Sequence, residues 1–421
     1  MTNNEVLSST ESREPKFFYG YIIVIAAFFI TMVAYGTQYS FGVFFKPVLT
    51  EFGWTRAMTA GAYSLYTILH GFFCIVAGRV SDRFGPRLVV TGCGLFLGIG
   101  YLLTSQISAI WQLYLFYGVL ASVGMGSVVP LLSAVARWFV KRRGLVTGVV
   151  VSGIGAGTMI VPPVATQLIT TYGWRTSYII IGVIALVLIV VAAQFLRHDP
   201  SQVGQLPYGA GEVEAESSDL EAKGFSLQEA IRSRQFWILC ALYFSFLFGQ
   251  QTMMVHIVPH ATDLGISAVS AASILSVIGG LSIAGRIGMG SAGDRIGNKP
   301  SIVIVFILMS VALFWLLGAK ELWMFYLFAV VFGFGYGGLI ALQSPTVAQL
   351  FGLRAHGVIL GMVIFGATIG GAIGPLVAGR IFDITGGYQL IFLICAVLSV
   401  VGLILALTLR IPGREGLVKS A

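Results

Sequence analysis

Charged side chains are scarce in this sequence, and acidic side chains are absent from the interior of its apolar segments. Only 10% of the 421 residues are Asp, Glu, Lys or Arg, whereas 57% are hydrophobic and the mean hydropathy is +0.90. A soluble protein of this length does not have such a balance. The sequence therefore predicts an integral membrane protein.

Enzymatic signatures are also missing from the sequence. It contains no GxSxG, no HExxH and no P-loop or nucleotide fingerprint in a suitable context, and GIGAG at 153–157 lies within an apolar segment. Cys74, Cys93, Cys240 and Cys395 lie in apolar segments without CxxC or metal-like spacing, so we expect buried packing residues. We therefore expect that the protein is not an enzyme and that it requires no cofactor, metal or ATP.

Twelve apolar segments recur along the chain, each close to the roughly 20 residues that cross a bilayer as a helix. They fall at about 19–45, 57–79, 88–106, 110–137, 144–170, 175–196, 235–260, 267–292, 301–318, 322–349, 356–381 and 388–410. The fold class predicted is an all-α membrane protein with twelve transmembrane helices.

The segments form two groups of six around an acidic stretch that is rich in Pro and Gly. We expect a tail at 1–16, a six-helix bundle at 17–196, a mobile linker at 197–234, a second bundle at 235–411 and a tail at 412–421. FSLQEAIRS at 225–233 predicts one short interfacial helix in the linker. The first tail is polar and acidic, unlike a cleaved signal peptide, so the first span should be retained.

The 25 Lys and Arg residues are distributed unevenly between the two sides of the predicted membrane. Nineteen lie on alternate loops and the two termini, five lie on the opposite loops, and Arg286 lies between them. By the positive-inside rule, both termini and the linker are predicted to be cytoplasmic. The net charge of +8 therefore indicates membrane topology and not a nucleic-acid partner.

The two halves repeat each other at a constant offset. GRVSDRFGPR at 78–87 corresponds to GSAGDRIGNK at 290–299, with Asp82 and Asp294 separated by 212 residues. Gly148, Gly153 and Pro162 correspond to Gly361, Gly366 and Pro375, each at an offset of 213. Parallel six-helix repeats are typical of carriers whose two halves rock around a site near the midplane.

Both copies of G-x-x-x-D-R-x-G-x-[RK] resemble the signature of the major facilitator superfamily. WFVKRRGLVTGVVVSG at 138–153 and an arginine in the eighth helix are similar to the monocarboxylate transporter family within it. YGYIIVIAAFF at 19–29 and GVFFKPVLTEFGW at 42–54 resemble bacterial relatives that include oxalate/formate exchangers. The resemblance implies two pseudo-symmetric six-helix halves and carriage of small organic anions.

The sequence also departs from the vertebrate lactate carriers of that family. Tyr39 stands where they have a lysine in the first helix, and Ser282 stands where they have an aspartate four residues before the arginine. FFYGY at 17–21 replaces their acidic, tryptophan-rich opening motif. These positions are linked in the family to proton coupling and anion binding, so the coupling mechanism is left open.

Arg286 is the only charged residue deep inside an apolar segment. An intramembrane guanidinium requires water, a partner or a ligand, and it can hold a carboxylate through two parallel hydrogen bonds. No acid lies in the segments to pair with it, so we expect the substrate to be the anion. The alternative is that Arg286 snorkels, because it lies about 12 Å along the helix from Asp294 at about 1.5 Å per residue.

The resemblance implies that helices 1, 4, 7 and 10 line the cavity. Their polar side chains are predicted substrate contacts together with Arg286 and Ser282: Tyr35, Tyr39, Tyr117, Gln250, Gln251, His256 and Tyr336. Tyrosine suits a small acid that carries a methyl or hydroxyl group beside its carboxylate. His256 is the favoured imidazole for a substrate or proton contact, with His70 second, although both could be neutral packing residues.

Charged residues in and near the repeated loops are predicted to form the gate. Asp82 and Asp294 lie at helix ends, each followed by an arginine, and are suited to latch neighbouring helix ends. The predicted gating set is Asp82, Arg83, Asp294, Arg295 and Arg143. Glycine pairs Gly153/Gly157 and Gly366/Gly370 predict close backbone contact between the halves.

The function expected is secondary active transport of small monocarboxylates such as lactate or pyruvate, in symport with a proton, by alternating access. Two alternatives stay open: an organic-anion exchanger of the oxalate/formate type, and a membrane sensor that binds such acids without moving them. The expected partners are a small monocarboxylate anion, a proton and the lipid bilayer, with no nucleic acid. We expect a monomer in the plasma (inner) membrane.

Overall fold

The computed structural model describes residues 18–139, 143–209, 224–352 and 354–410, with the exception of the Arg143 side chain. These residues are largely helical. The spanning helices are α1 (Gly20–Phe52), α2 (Arg56–Phe84), α3 (Pro86–Thr104), α4 (Ile110–Trp138), α5 (143–172), α6 (174–193), α7 (Arg234–Asp263), α8 (Ala268–Ile296), α9 (Asn298–Leu316), α10 (Leu322–Phe351), α11 (His356–Thr385) and α12 (Gln389–Thr408).

The described residues include eleven helices that are long and apolar enough to cross a membrane, and one of these contains two spans. It is Gly144–Ala193, with 50 residues, whereas about 20 suffice to cross the hydrocarbon. Gly173 interrupts it with φ 78° and ψ 162°, a left-handed conformation that glycine adopts without strain. The chain turns back there, so the prediction of twelve spans is confirmed.

Consecutive helices run in alternating directions and define two faces of the protein. We call the face where α1 begins and α12 ends the terminal face, and the other the opposite face. Lipid offers no hydrogen-bond partners, so each span satisfies its own backbone as a helix. α4 departs from regular α-helical geometry in its middle, where Tyr114–Leu120 form π-helical turns and Ala121–Ser127 form a 3₁₀ segment.

The linker carries the short helix that its sequence predicts, at Leu227–Arg232. Ser226 caps it: its Oγ accepts from the Glu229 amide at 3.4 Å, and Glu229 accepts from the Ser226 amide at 2.7 Å. That backbone hydrogen bond holds the pKa of the exposed Glu229 carboxyl below its usual range. The acidic residues at 210–223 lie outside the described residues.

The paired glycines of α5 and α11 pack inside each half, so the expectation that they join the halves is wrong. A Cβ on Gly157 would lie 2.1 Å from the Met32 carbonyl oxygen of α1, and one on Gly370 would lie 2.4 Å from the Phe244 carbonyl oxygen of α7. Different glycines bring the halves together. A Cβ on Gly155 of α5 would lie 2.7 Å from the carbonyl oxygen of Gly279 in α8.

Close backbone contacts between the halves lie in the middle of the spans and at the opposite face. At the opposite face, a Cβ on Gly379 would lie 2.8 Å from the backbone of Ala57. Near the terminal face, a Cβ on Gly148, Gly290 or Gly361 would meet nothing within 4 Å. The cysteines fit the packing prediction in part, because Cys93 and Cys395 are buried while Cys74 and Cys240 are half-buried.

Candidate functional site

Arg286 lies in the interior of the protein, on the side of α8 that faces α10. Of the charged side chains that the structure describes, only Arg286 and Arg56 are buried, with 7% and 9% of their surface exposed. Gly285 permits this position, because a Cβ there would lie 2.0 Å from the carbonyl oxygen of Phe334 in α10. α8 and α10 therefore approach closely enough to enclose the guanidinium.

The guanidinium of Arg286 keeps one edge unoccupied. Its Nη1 donates to Ser282 Oγ, one helical turn earlier, at 2.8 Å. Its Nε and Nη2 are buried and have no hydrogen-bond partner among the described residues. These two donors lie side by side on one edge of the planar group, which is the arrangement that binds both oxygens of a carboxylate.

A row of tyrosines crosses from Arg286 to the other half. The Arg286 guanidinium lies over the Tyr336 ring, with Cζ 5.4 Å from the centroid. The Tyr336 hydroxyl is 3.4 Å from that of Tyr39 in α1, and the Tyr39 ring is 5.9 Å from that of Tyr35. The structure thus brings together five predicted site residues, namely Arg286, Ser282, Tyr336, Tyr39 and Tyr35.

Gln251 takes part in a second polar contact between the halves. Its Oε1 accepts from the Tyr63 hydroxyl of α2 at 3.0 Å, and that hydroxyl accepts from Gln38 Nε2 at 3.4 Å. Both side-chain polar atoms of Gln250 are buried without a partner among the described residues. Tyr117 is buried, and its hydroxyl donates to the Gln38 carbonyl oxygen of the first half at 3.4 Å.

His256 belongs to a polar chain near the opposite face. Its Nε2 is 2.9 Å from the Pro375 carbonyl oxygen, and its Nδ1 is 3.1 Å from the Tyr388 hydroxyl. Arg56 Nη1 donates to the same hydroxyl. Burial raises the pKa of the Tyr388 phenol, while Arg56 acts against this, so the phenol stays protonated and can donate to His256.

Arg56 and two aspartates join the halves at the opposite face, and we call Arg56, Asp263, Asp383 and Tyr388 the opposite-face lock. Arg56 Nη2 lies 2.6 Å from Asp263 Oδ2, and its guanidinium stacks over the Phe382 ring at 3.7 Å. The Asp383 carboxylate accepts from the amides of Arg56 and Ala57, both at 2.9 Å. It thereby caps the positive N-terminal end of α2.

Sequence reasoning missed this lock. The available signal was that Arg56, Asp263 and Asp383 are charged residues at helix ends on the face with few cations. Lys46 joins the same cluster, with Nζ 2.8 Å from Asp263 Oδ1. Among the described residues no cluster of His, Cys, Asp and Glu could hold a metal ion.

The predicted gating residues lie at the terminal face. Asp82 accepts from Arg137 Nη2 at 3.0 Å, within the first half. Asp294 and Arg295 are exposed, and Arg83 is exposed with its guanidinium 5.2 Å from the Phe84 ring. Arg143 begins α5, but its side chain lies outside the described residues. No hydrogen bond or ion pair joins the halves at this face in the part of the chain described.

One family profile matches most of both halves. The profile of the Major Facilitator Superfamily matches residues 27–304 and 285–420. The chain belongs to the Major Facilitator Superfamily. This major facilitator has the fold and the repeat that its sequence predicts.

Relatives of this major facilitator include carriers from animals and bacteria. Monocarboxylate transporter 13 of Bos taurus is 26% identical over 387 residues, which cover 91% of this chain and 88% of the relative. The oxalate:formate antiporter of Oxalobacter formigenes is 28% identical over 425 residues, which cover 98% and 95%. The expected resemblance to monocarboxylate transporters and oxalate/formate exchangers is confirmed.

Solved structures of other transporters share the fold of this chain. A bacterial homologue of the human lysosomal transporter Spinster, in its inward-facing and occupied conformation, aligns with a TM-score of 0.74. The alignment covers 93% of this chain and 97% of that chain, at 13% sequence identity. The same homologue in its inward-facing and unoccupied conformation aligns with a TM-score of 0.72 and 15% identity, covering 92% and 96%.

Proposed function

We propose that this major facilitator carries small monocarboxylates, of the size of lactate or pyruvate, across the inner membrane together with a proton. The observation that carries the proposal is the unoccupied edge of Arg286, where Nε and Nη2 are buried without a partner among the described residues. A buried cation with two parallel donors is stabilised by a carboxylate. The tyrosine hydroxyls beside it suit a hydroxyl or keto group on the neighbouring carbon.

The number of buried cations supports one carboxylate per substrate. Among the described residues, Arg286 is the buried cation of the interior, whereas Arg56 is already paired with Asp263 at the opposite face. A dicarboxylate such as oxalate would leave its second charge without a buried cation, which is costly in a low-dielectric site. Similarity to monocarboxylate transporter 13 of Bos taurus also supports a monocarboxylate as the substrate.

In this proposal, alternating access occurs because contacts between the halves form at one face while those at the other face break. The lock joins the halves at the opposite face, whereas no hydrogen bond or ion pair joins the described residues of the two halves at the terminal face. In the other arrangement we expect the lock to open and Asp82, Arg83, Asp294, Arg295 and Arg143 to latch the terminal face. The uneven Lys and Arg distribution supports a cytoplasmic terminal face and hence cytoplasmic termini.

Transport by the purified protein in proteoliposomes tests the proposal. Labelled lactate, pyruvate, acetate, formate and oxalate should be offered with and without an imposed proton gradient. We expect monocarboxylate uptake that the gradient drives. Movement of label only against internal substrate would instead identify an exchanger, the candidate favoured by similarity to the oxalate:formate antiporter. Binding without movement of any label would indicate a sensor.

A further inference from the structure

A side chain that carries the proton in symport must be titratable and must exchange protons with water, and the acids of the described spans lie at helix ends. Asp82 and Asp294 lie at the terminal ends of α2 and α8, and Asp263 and Asp383 are engaged in the lock. Glu51 lies at the opposite-face end of α1 and is paired with Arg175 at 2.9 Å. Among side chains, an imidazole has the ordinary pKa nearest to neutrality. The imidazoles within the spans are therefore the groups to compare.

Two of the interior histidines already have structural roles. His256 uses both ring nitrogens, one with the Pro375 carbonyl oxygen and one with the Tyr388 hydroxyl. His260 is 6% exposed and packs edge-on against Tyr388 and Phe392, at 5.4 and 4.9 Å between ring centroids. Both histidines lie against Tyr388, which belongs to the opposite-face lock.

His70 has a different environment. It lies at the midpoint of α2, fourteen residues from Arg56 and fourteen from Phe84. It is half-buried, and neither ring nitrogen has a hydrogen-bond partner among the described residues. The lipid-facing stripe of α2 includes Ile68, Phe72 and Ile75, which are 43%, 52% and 50% exposed. Helical periodicity places His70 away from that stripe, so its exposed surface faces the interior.

The row of tyrosines connects His70 with the anion site. The His70 ring lies edge-on to Tyr35, with 6.0 Å between centroids. From Tyr35 the row continues through Tyr39 and Tyr336 to Arg286. His70 and Arg286 thus stand at the two ends of one row that crosses between the halves.

The groups that surround His70 are uncharged near neutral pH. α1 contributes Tyr35, and α2 itself places Tyr66 and Cys74 one turn before and after His70. α11 contributes Thr368 and Phe365 beside Gly71. α4 meets Cys74 through the Met125 carbonyl oxygen at 3.5 Å. A proton on His70 would therefore add a positive charge that no neighbouring acid cancels.

We infer that His70 is the residue that carries the transported proton. This inference rests on the proposed function. When the site is open to one face, a neutral ring nitrogen takes a proton from a hydronium ion, so that an N–H bond forms and a water molecule is left. After the halves rock, the same bond breaks and the proton returns to water at the other face.

The count of charges explains why anion and proton would move together. The empty carrier has one positive charge in the site, on Arg286. Binding of an anion alone removes it, and binding of a proton alone doubles it. Binding of both restores one positive charge, so the empty and fully loaded carriers present the same charge to the membrane. The carrier that holds the proton alone has two positive charges and is disfavoured in rocking, so the proton moves only with the anion, whereas the carrier that holds the anion alone is neutral.

Replacing His70 with glutamine tests the inference, since Gln keeps a polar side chain that does not titrate. A one-unit pH gradient should accumulate the anion about tenfold in the parent when one proton accompanies each anion. In His70→Gln we expect this accumulation to be lost while counterflow of labelled substrate, which needs no net proton movement, stays within a few-fold of the parent. Cys74→Ala, one turn along the same helix face, is the matched control and should keep both activities.

The outcomes separate the inference from the proposed function. Gradient-driven accumulation by His70→Gln at the parental level would overturn the inference and leave the proposed carrier intact. Absence of monocarboxylate counterflow in the parent would overturn the proposed function itself. A parent with counterflow but without gradient-driven accumulation would be an exchanger, and the role of His70 would then be refuted as well.

Discussion

Replacing Arg286 with lysine separates a two-bond grip on a carboxylate from a snorkelling cation. Lysine keeps the positive charge but offers a compact ammonium in place of the Nε and Nη2 edge. The substrate should therefore keep one charge-assisted hydrogen bond and lose the other. Such a bond contributes about 1.5 to 3 kcal/mol, so the affinity of Arg286→Lys should fall about 10- to 150-fold.

Arg286→Ala removes the charge as well as both bonds. Loss of a buried charged partner costs about 2 to 5 kcal/mol, which corresponds to roughly 30-fold to several thousand-fold weaker binding. The helix itself should insert readily, because an uncharged residue is favoured in lipid. Arg79→Lys is the matched control, since Arg79 is exposed near the terminal end of α2.

Substrate titration of the purified protein and the KM for counterflow measure these effects. A monodisperse protein with parental melting temperature establishes that each variant is folded. If Arg286 snorkels toward the terminal face, lysine should substitute well. An inserted Arg286→Lys protein with parental rate and KM would therefore refute the proposed anion site.

Two further substitutions test the contacts between the halves. Arg56→Ala should weaken the lock by about 1.5 to 3 kcal/mol. A cysteine placed at the buried Ala261 reports the opening of the lock through its reaction with an impermeant thiol reagent. We expect Arg56→Ala to speed this labelling about tenfold or more. Arg380→Ala, which removes an exposed cation from the same face, should leave the labelling rate unchanged. Gly155→Val should lower the melting temperature, because overpacking against α8 costs about 1 to 3 kcal/mol. Gly148→Val has open space and should not lower it; equal melting temperatures for the two valine variants would contradict the close contact.

The class of the protein, its twelve spans and its family could all be predicted from the amino-acid sequence. Each of these depends on local pattern: composition, the length of apolar segments, and motifs repeated at one offset. In lipid a span must satisfy its backbone internally, so an apolar segment of sufficient length becomes a helix whatever its neighbours are. The short helix after Ser226 was equally predictable, because its capping residues are three positions apart.

Which polar side chains contact one another could not be predicted without the packing of the helices. Tyr117 and Tyr336 looked equivalent in the sequence, yet Tyr336 lies against Arg286 while Tyr117 packs within the first half. The lock joins Arg56 to Asp263 across 207 positions. Helical periodicity predicts which residues share a face of one helix, but not which helix that face contacts. That choice depends on close packing between distant segments, such as the approach of α5 and α8 at Gly155, and it is not encoded in local pattern.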